Sequence, residues 1–266
     1  MGMGNFITFV SKEFIENIRT KRILVIACVF LFFAVSSPLL ARYIAEFLGL
    51  FAGMDELTEG LMLAMPTPHW SDAYTQFYGN LAQVGAFTII LVFIGIILRE
   101  KRTGTADLVL TKGLTPTVFV LAKFAAAAVV TVTLTLISLG VSHLYTLLLF
   151  GEAGSIADVL ISGLVFSVFL VLLLGVTMFL SAMVKGTGTG AVLGIAAYFL
   201  LAISTSIVSI GPIRIGQHSP GALMLSPIEI AMGFSRPGLP LAVLNSLVIT
   251  ALALWGAVRL TAHKQL

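Results

Sequence analysis

The sequence has a single cysteine in 266 residues, and almost no charge where its apolar runs are longest. Cys28 has no second cysteine to pair with in the chain, so an intrachain disulfide and a thiolate metal cluster are both excluded. It lies within the first apolar run and reads as a small packing residue. Charged residues make up 10% of the chain, against roughly 25% in ordinary soluble domains. With 58% of the residues hydrophobic, one water-soluble core cannot hide the apolar surface. The composition is that of an integral membrane protein.

Chemical motifs are missing as well. There is no His-Glu-x-x-His, no pair of carboxylates within an apolar run, and no Asp-rich motif to hold magnesium and a diphosphate. An enzyme is therefore not expected, and no catalytic, cofactor-binding or metal-ligating residue is nominated. Lys185-Gly186-Thr187-Gly188-Thr189-Gly190 is rich in glycine but lacks the phosphate-loop spacing and joins two apolar runs, so it reads as a tight turn. A cleavable signal peptide is not expected, because the first apolar run starts at Ile23, after Glu13 and Glu16, and is long enough to span. Position 6 is Phe6, so Met1-Gly2 does not complete a myristoylation signal.

Six uncharged runs are present, at about 23–41, 81–98, 124–150, 159–184, 190–210 and 239–258. Each can cross the roughly 30 Å hydrocarbon core as a helix. The expected fold is an all-α membrane protein, with residues 1–266 forming one transmembrane domain. As drawn, no span contains Asp, Glu, Lys or Arg, which argues against an ion-coupled carrier, the rival transport class. His143 is the one histidine within a span, as a hydrogen-bonded packing residue or a substrate contact. Ser and Thr positions such as Thr131, Thr133, Thr135, Ser204, Thr205 and Ser206 either line a path or bond their own backbone.

Between the runs the chain is amphipathic. In the first 22 residues Phe6, Val10, Phe14 and Ile18 form one helical stripe, with Lys12, Glu13, Glu16, Asn17 and Arg19 elsewhere around the wheel. Such a helix lies in the membrane interface. Pro38 falls near the outer end of span one, where it is tolerated. Residues 42–80 read as two short interfacial helices ended by Met65-Pro66-Thr67-Pro68. His69, Trp70, Tyr74, Phe77 and Tyr78 then settle at headgroup depth before span two. Proline and glycine break residues 211–238 repeatedly, leaving short helices at 221–225 and 228–234 that can dip into one leaflet if shielded by protein.

The densest charge between spans is the stretch from Arg99 to Lys112, which carries Glu100, Lys101, Arg102 and Asp107. Gly104-Thr105 can start a short helix holding Leu108, Gly113 can stop it, and Thr115-Pro116 suits the cap and first turn of the next. A docking helix and a solvated loop are both open at this point. With the N-terminus inside, twelve bases and four acids fall on the cytoplasmic side, and three bases and eight acids opposite. The resulting +8 and −5 sum to the net +3 and obey the positive-inside bias, with both termini cytoplasmic. The net charge thus follows membrane side and gives no indication of nucleic acid.

The charged cluster, the Gly-Thr pair, the short Leu-containing helix and the Lys opening the next span resemble the first cytoplasmic loop of ABC-2 type transporter permeases. The layout is similar too: an amphipathic leader, six spans, a large first outer loop, and an irregular segment before the last span. Gly113 stands where the family often has proline, and Thr115-Pro116 where it has Ser/Thr-Arg. The resemblance implies a permease subunit in the cell membrane, working with a separate ABC ATPase subunit that carries the ATP and magnesium, and paired with a second permease copy as a homodimer. It further implies export, and a coupling helix built on Glu100, Arg102, Gly104, Thr105, Asp107 and Leu108. His143, Ser204 and Thr205 are the candidates for a substrate path. A related alternative is a permease-like subunit that passes ATPase work to an extracytoplasmic partner.

Overall fold

The computed structural model describes residues 3–51, 67–105, 108, 111, 113–207 and 215–262. Among these, regular structure is helical throughout. Helix α1, Met3–Arg19, turns through Lys21 into α2, Arg22–Phe51. Helix α3, Trp70–Asn80, runs through a π-turn at Leu81–Gly85 into α4, Ala86–Phe93, and α5, Leu98–Arg102, follows a break. Then come α6, Pro116–Phe150; α7, Ile156–Met183; α8, Thr187–Ile207; a 3-10 turn, Ile215–His218; α9, Ala222–Ala231; and α10, Leu239–Ala262.

Six of these segments are long and apolar enough to cross a membrane: Arg22–Ile44, Trp70–Arg102, Pro116–Phe150, Ile156–Met183, Thr187–Ser204 and Leu239–Ala262. All six expected spans are present, so the chain is an all-α, multi-pass membrane protein. Helix α7 is at the centre, packed against α10, α9, α6, α4 and α8. Phe166, Phe169, Leu170, Leu173 and Leu174 on it are fully buried. The approach to α6 is close because Gly163 has no side chain: a Cβ there would come within 2.4 Å of Leu139. Small residues serve this purpose between membrane helices, where apolar burial alone gives little preference for protein over lipid.

Several spans begin earlier than their apolar runs. Span two starts at Trp70, where the His69 side chain accepts from the Ser71 N–H (3.3 Å) and Asp72 accepts from the His69 N–H (2.8 Å). Within the aromatic cluster His69 is exposed and Trp70 half-buried, while the other three rings face the bundle. Tyr74, Phe77 and Tyr78 are fully buried, because their helical spacing continues the inward face of span two through Leu81. Span three starts at Pro116, capped by the Thr115 hydroxyl accepting from Val118 N–H at 3.3 Å. Lys123 therefore sits inside the helix, not ahead of it.

Other expectations need correction. Helix α2 continues through Pro38, as expected, and kinks at Tyr43, so span one ends near Ile44 and residues 44–51 form a short helical piece beyond the kink, joined to it rather than separate; the second expected outer helix falls largely in residues outside those described. Ser226-Pro227 does not divide α9, which is one ten-residue helix. Proline forfeits a single backbone bond there, the Ser226 hydroxyl donates to the Ala222 carbonyl at 2.7 Å, and burial of Leu223, Pro227 and Ile230 holds the segment together. At about 15 Å, α9 is about half as long as the hydrocarbon core is thick. Arg236 folds back onto it as a forked ion pair with Glu229.

Candidate functional site: a buried ion-pair joint beneath the first loop

The largest departure from the amphipathic wheel lies in α1. Phe14 and Ile18 of the expected stripe do face outward, but alongside Ile7 and Ile15, whereas the polar residues Glu13 and Asn17 are the buried ones. The helix lies along α6 with Phe9 6.2 Å from the Phe119 ring, and it presents Glu13 to Lys123. Lys123 is completely buried. Its ammonium donates to Glu13 Oε2 at 2.8 Å and to Glu100 Oε1 at 2.6 Å, and it lies 5.1 Å from the Phe119 ring centroid. An unpaired ammonium at that depth would cost several kcal/mol, and two carboxylates offset the cost.

The surroundings extend the network. Lys12 reaches Glu13 Oε1 at 3.1 Å and Glu16 Oε2 at 3.4 Å. Burial lowers the Lys12 pKa, but attraction to Glu13 and the bond to it, with Glu100 and Glu16 nearby, outweigh this and raise it. Arg22 at the start of α2 donates to the Asn17 Oδ1 at 3.1 Å. Glu13, Glu16 and Glu100 bring one oxygen each within 4.8 Å of the others, a spacing that suits a cation. The ammonium groups of Lys123 and Lys12 already bond oxygens of these carboxylates, so the chain supplies its own positive charge.

The loop above the joint is positioned by a break in span two. After Phe93 the Ile96 N–H takes the Phe93 carbonyl at 3.0 Å, and the Ile97 and Leu98 N–H groups turn to the Ser181 hydroxyl of α7 at 3.1 and 3.2 Å. Lys101 Nζ donates to the Ala182 carbonyl at 3.2 Å. Arg102 and Thr105 are exposed, and the Thr105 hydroxyl pairs with that of Thr103 at 2.9 Å. Gly104 has φ +72, a left-handed conformation that glycine adopts freely. Its carbonyl accepts from Leu108 N–H at 3.2 Å, and Leu108 is 64% exposed. Gly113, with φ +91, turns the chain toward Thr115 as expected. Asp107 lies outside the described residues.

The other candidates lie apart from this site. His143 Nδ1 is 2.6 Å from the Tyr74 hydroxyl, which is a hydrogen-bonded packing arrangement between spans three and two. Thr131 and Thr135 are fully buried and bond the carbonyls of Ala127 and Thr131, while Ser204 bonds Leu201 at 2.6 Å. Thr205 is within α8, and its side chain lies outside the described residues. Sequence reasoning missed Lys123 and Glu13. Two signals mark them: a lone lysine with five apolar residues before it and more after, and the 9, 13, 17 spacing that puts Glu13 and Asn17 in line with Phe9.

Fold and joint together define a membrane-embedded, six-span helical protein whose N-terminal helix, first loop and third span are fastened by buried charge. A family model described as "Protein of unknown function (DUF2705)" matches residues 24–215. The chain belongs to that family. No curated protein matches it.

Proposed function

We propose that this chain is the permease subunit of an ATP-binding cassette transporter of the ABC-2 type, an exporter driven by a separate ATPase subunit. The observation that carries the reading is the Lys123 joint. It links α1 through Glu13 and the first loop through Glu100 to one membrane helix, so force applied at the loop reaches the bundle through short, buried contacts. The sequence resemblance of the loop and the six-span layout support the same reading. Lys123 sits seven residues after the start of α6 and is neutralised by two carboxylates, an arrangement suited to a structural joint rather than a proton path through the bilayer.

In this reading two copies pair in the cell membrane with both termini cytoplasmic, and the path lies between the two bundles. The apolar interior suits lipid-like molecules, hydrophobic peptides or drugs. The hydroxyls of Thr131, Thr135 and Ser204 bond their own helices, which favours a second reading, a permease-like subunit that transmits ATPase work to an extracytoplasmic partner without moving a solute.

Affinity purification from native membranes in mild detergent tests the proposal. An ATPase should co-purify, with nucleotide hydrolysis that depends on this chain. Isolation without any ATPase, combined with proton-driven uptake in ATPase-free vesicles, would replace the proposal with a secondary carrier.

A further inference from the structure

Span two ends in a defect that another helix repairs. In an uninterrupted helix the Ile97 and Leu98 N–H groups would bond the Phe93 and Ile94 carbonyls. The Phe93 carbonyl instead accepts from Ile96, and regular bonding resumes with Arg99 N–H to the Gly95 carbonyl at 3.0 Å. The two displaced amides converge on one side-chain oxygen, Ser181 Oγ, across more than eighty positions of sequence. Ile97, Leu98 and Ser181 are all buried, so water cannot substitute for that oxygen. One residue on, the Ala182 carbonyl accepts from Lys101. Gly190 at the start of α8 closes against Ile94, where a Cβ would come within 2.7 Å, and shields the break from the third side.

We infer that Ser181 is a latch that makes residues 97–105 and the end of α7 move as one body, while the 93–98 break lets that body pivot against the rest of span two. Elsewhere in the described bundle, hydroxyls such as Ser167, Thr177 and Ser246 bond within their own helix. Ser181 bonds the backbone of another one. Movement of the charged loop is thereby delivered to α7, the most centrally packed helix, and not along the interrupted ladder of span two. The inference rests on the proposed function only for what drives the loop; the latch is a property of this chain alone.

The test uses full-length protein in lipid nanodiscs with Cys28→Ser. In the otherwise unaltered protein the amides of Ile97 and Leu98 should exchange hydrogen as slowly as those in the middle of α7. Ser181→Ala should accelerate them about tenfold or more, since each loses its only buried acceptor, and Ser181→Thr should restore protection. Ser167→Ala should leave them unchanged. Spin labels at the exposed positions Thr103 and Lys185 should give a narrow distance distribution that broadens in Ser181→Ala, while labels at Thr133 and Leu164 report an intact α6–α7 pair in both. Fast exchange at 97 and 98 in the unaltered protein, or an unchanged 103–185 distribution in Ser181→Ala, would overturn the latch. Neither measurement involves an ATPase, so failure to capture one would leave the result standing.

Discussion

Lys123 Nζ lies 2.8 Å from Glu13 Oε2, although 110 positions of sequence separate the two residues. The contact converts α1 from a free leader into part of the bundle, and it turns the polar edge of an amphipathic helix inward. Glu100 completes the arrangement from the loop side, at 2.6 Å.

Removing the lysine takes the central ammonium from Glu100 and leaves the buried Glu13 with only the half-exposed Lys12. Lys123→Ala should destabilise the protein by about 3–5 kcal/mol, whereas the triple variant Lys123→Met/Glu13→Gln/Glu100→Gln, which leaves no orphan charge, should recover most of the loss. Thermal unfolding in detergent measures both. Wild-type stability in Lys123→Ala would mean that the joint contributes nothing.

Glu100 and Leu108 belong to one loop but should respond differently. Glu100→Lys sets a second ammonium against Lys123 and should lower stability as well as any docking. Leu108 is exposed, so Leu108→Asp should change stability by no more than about 0.5 kcal/mol while weakening ATPase capture about tenfold. Full capture by Leu108→Asp would remove this residue from the proposed docking surface.

Lys21 links α1 to α2 with φ +59, a left-handed conformation that costs a residue bearing a Cβ roughly 1–2 kcal/mol. Lys21→Gly should stabilise the fold by about 0.5 kcal/mol, because glycine's extra freedom in the unfolded chain offsets part of the relief. Lys21→Val should be destabilising, and denaturation midpoints of the three proteins order them.

The Glu229–Arg236 pair makes a small pH-dependent contribution. The hydrogen bond from Arg236 holds the Glu229 carboxyl below its ordinary value of 4.5, with burial opposing and charge attraction adding to the effect. A depressed carboxyl pKa stabilises the fold above that value, and the contribution disappears as pH falls through the folded pKa. Both groups are substantially exposed, so solvent screening limits the pair to under about 1 kcal/mol. The stability difference between wild type and Arg236→Ala should therefore be present at pH 6 and be lost progressively as pH falls below 4.5 and through the folded pKa of Glu229.

Cysteine labelling tests the proposed orientation. In a Cys28→Ser background, cysteines at Thr103 and Lys185, both exposed, should react with a membrane-impermeant maleimide from the cytoplasmic side only. A cysteine at Glu152 should react from the opposite side. Thr261, although near the C-terminus, is buried against the bundle and is a poor reporter. The reverse pattern would invert the topology.

The six spans were legible in the sequence because hydropathy over about twenty residues is a local property that needs no partner. Local geometry was legible for the same reason: Thr115 caps α6, Pro116 opens it, and Gly113 takes a left-handed turn. What the sequence could not settle is where a charged or broken position stops being a boundary. Lys123 looked like the edge of a span because a lone ammonium cannot remain in an apolar helix. Only the fold brings Glu13 and Glu100 to it and moves the helix start back to Pro116. That Tyr74, Phe77 and Tyr78 face the bundle was decided only when α6 and α7 covered them, and Pro227 looked like a breaker until burial on α7 outweighed one lost bond. The break in span two is invisible in its apolar run, because the hydroxyl that satisfies it belongs to Ser181 on another helix. By itself the sequence determined which segments enter the membrane. The tertiary structure decided which buried polar groups meet, because a buried charge or amide is stable only beside a partner that folding supplies.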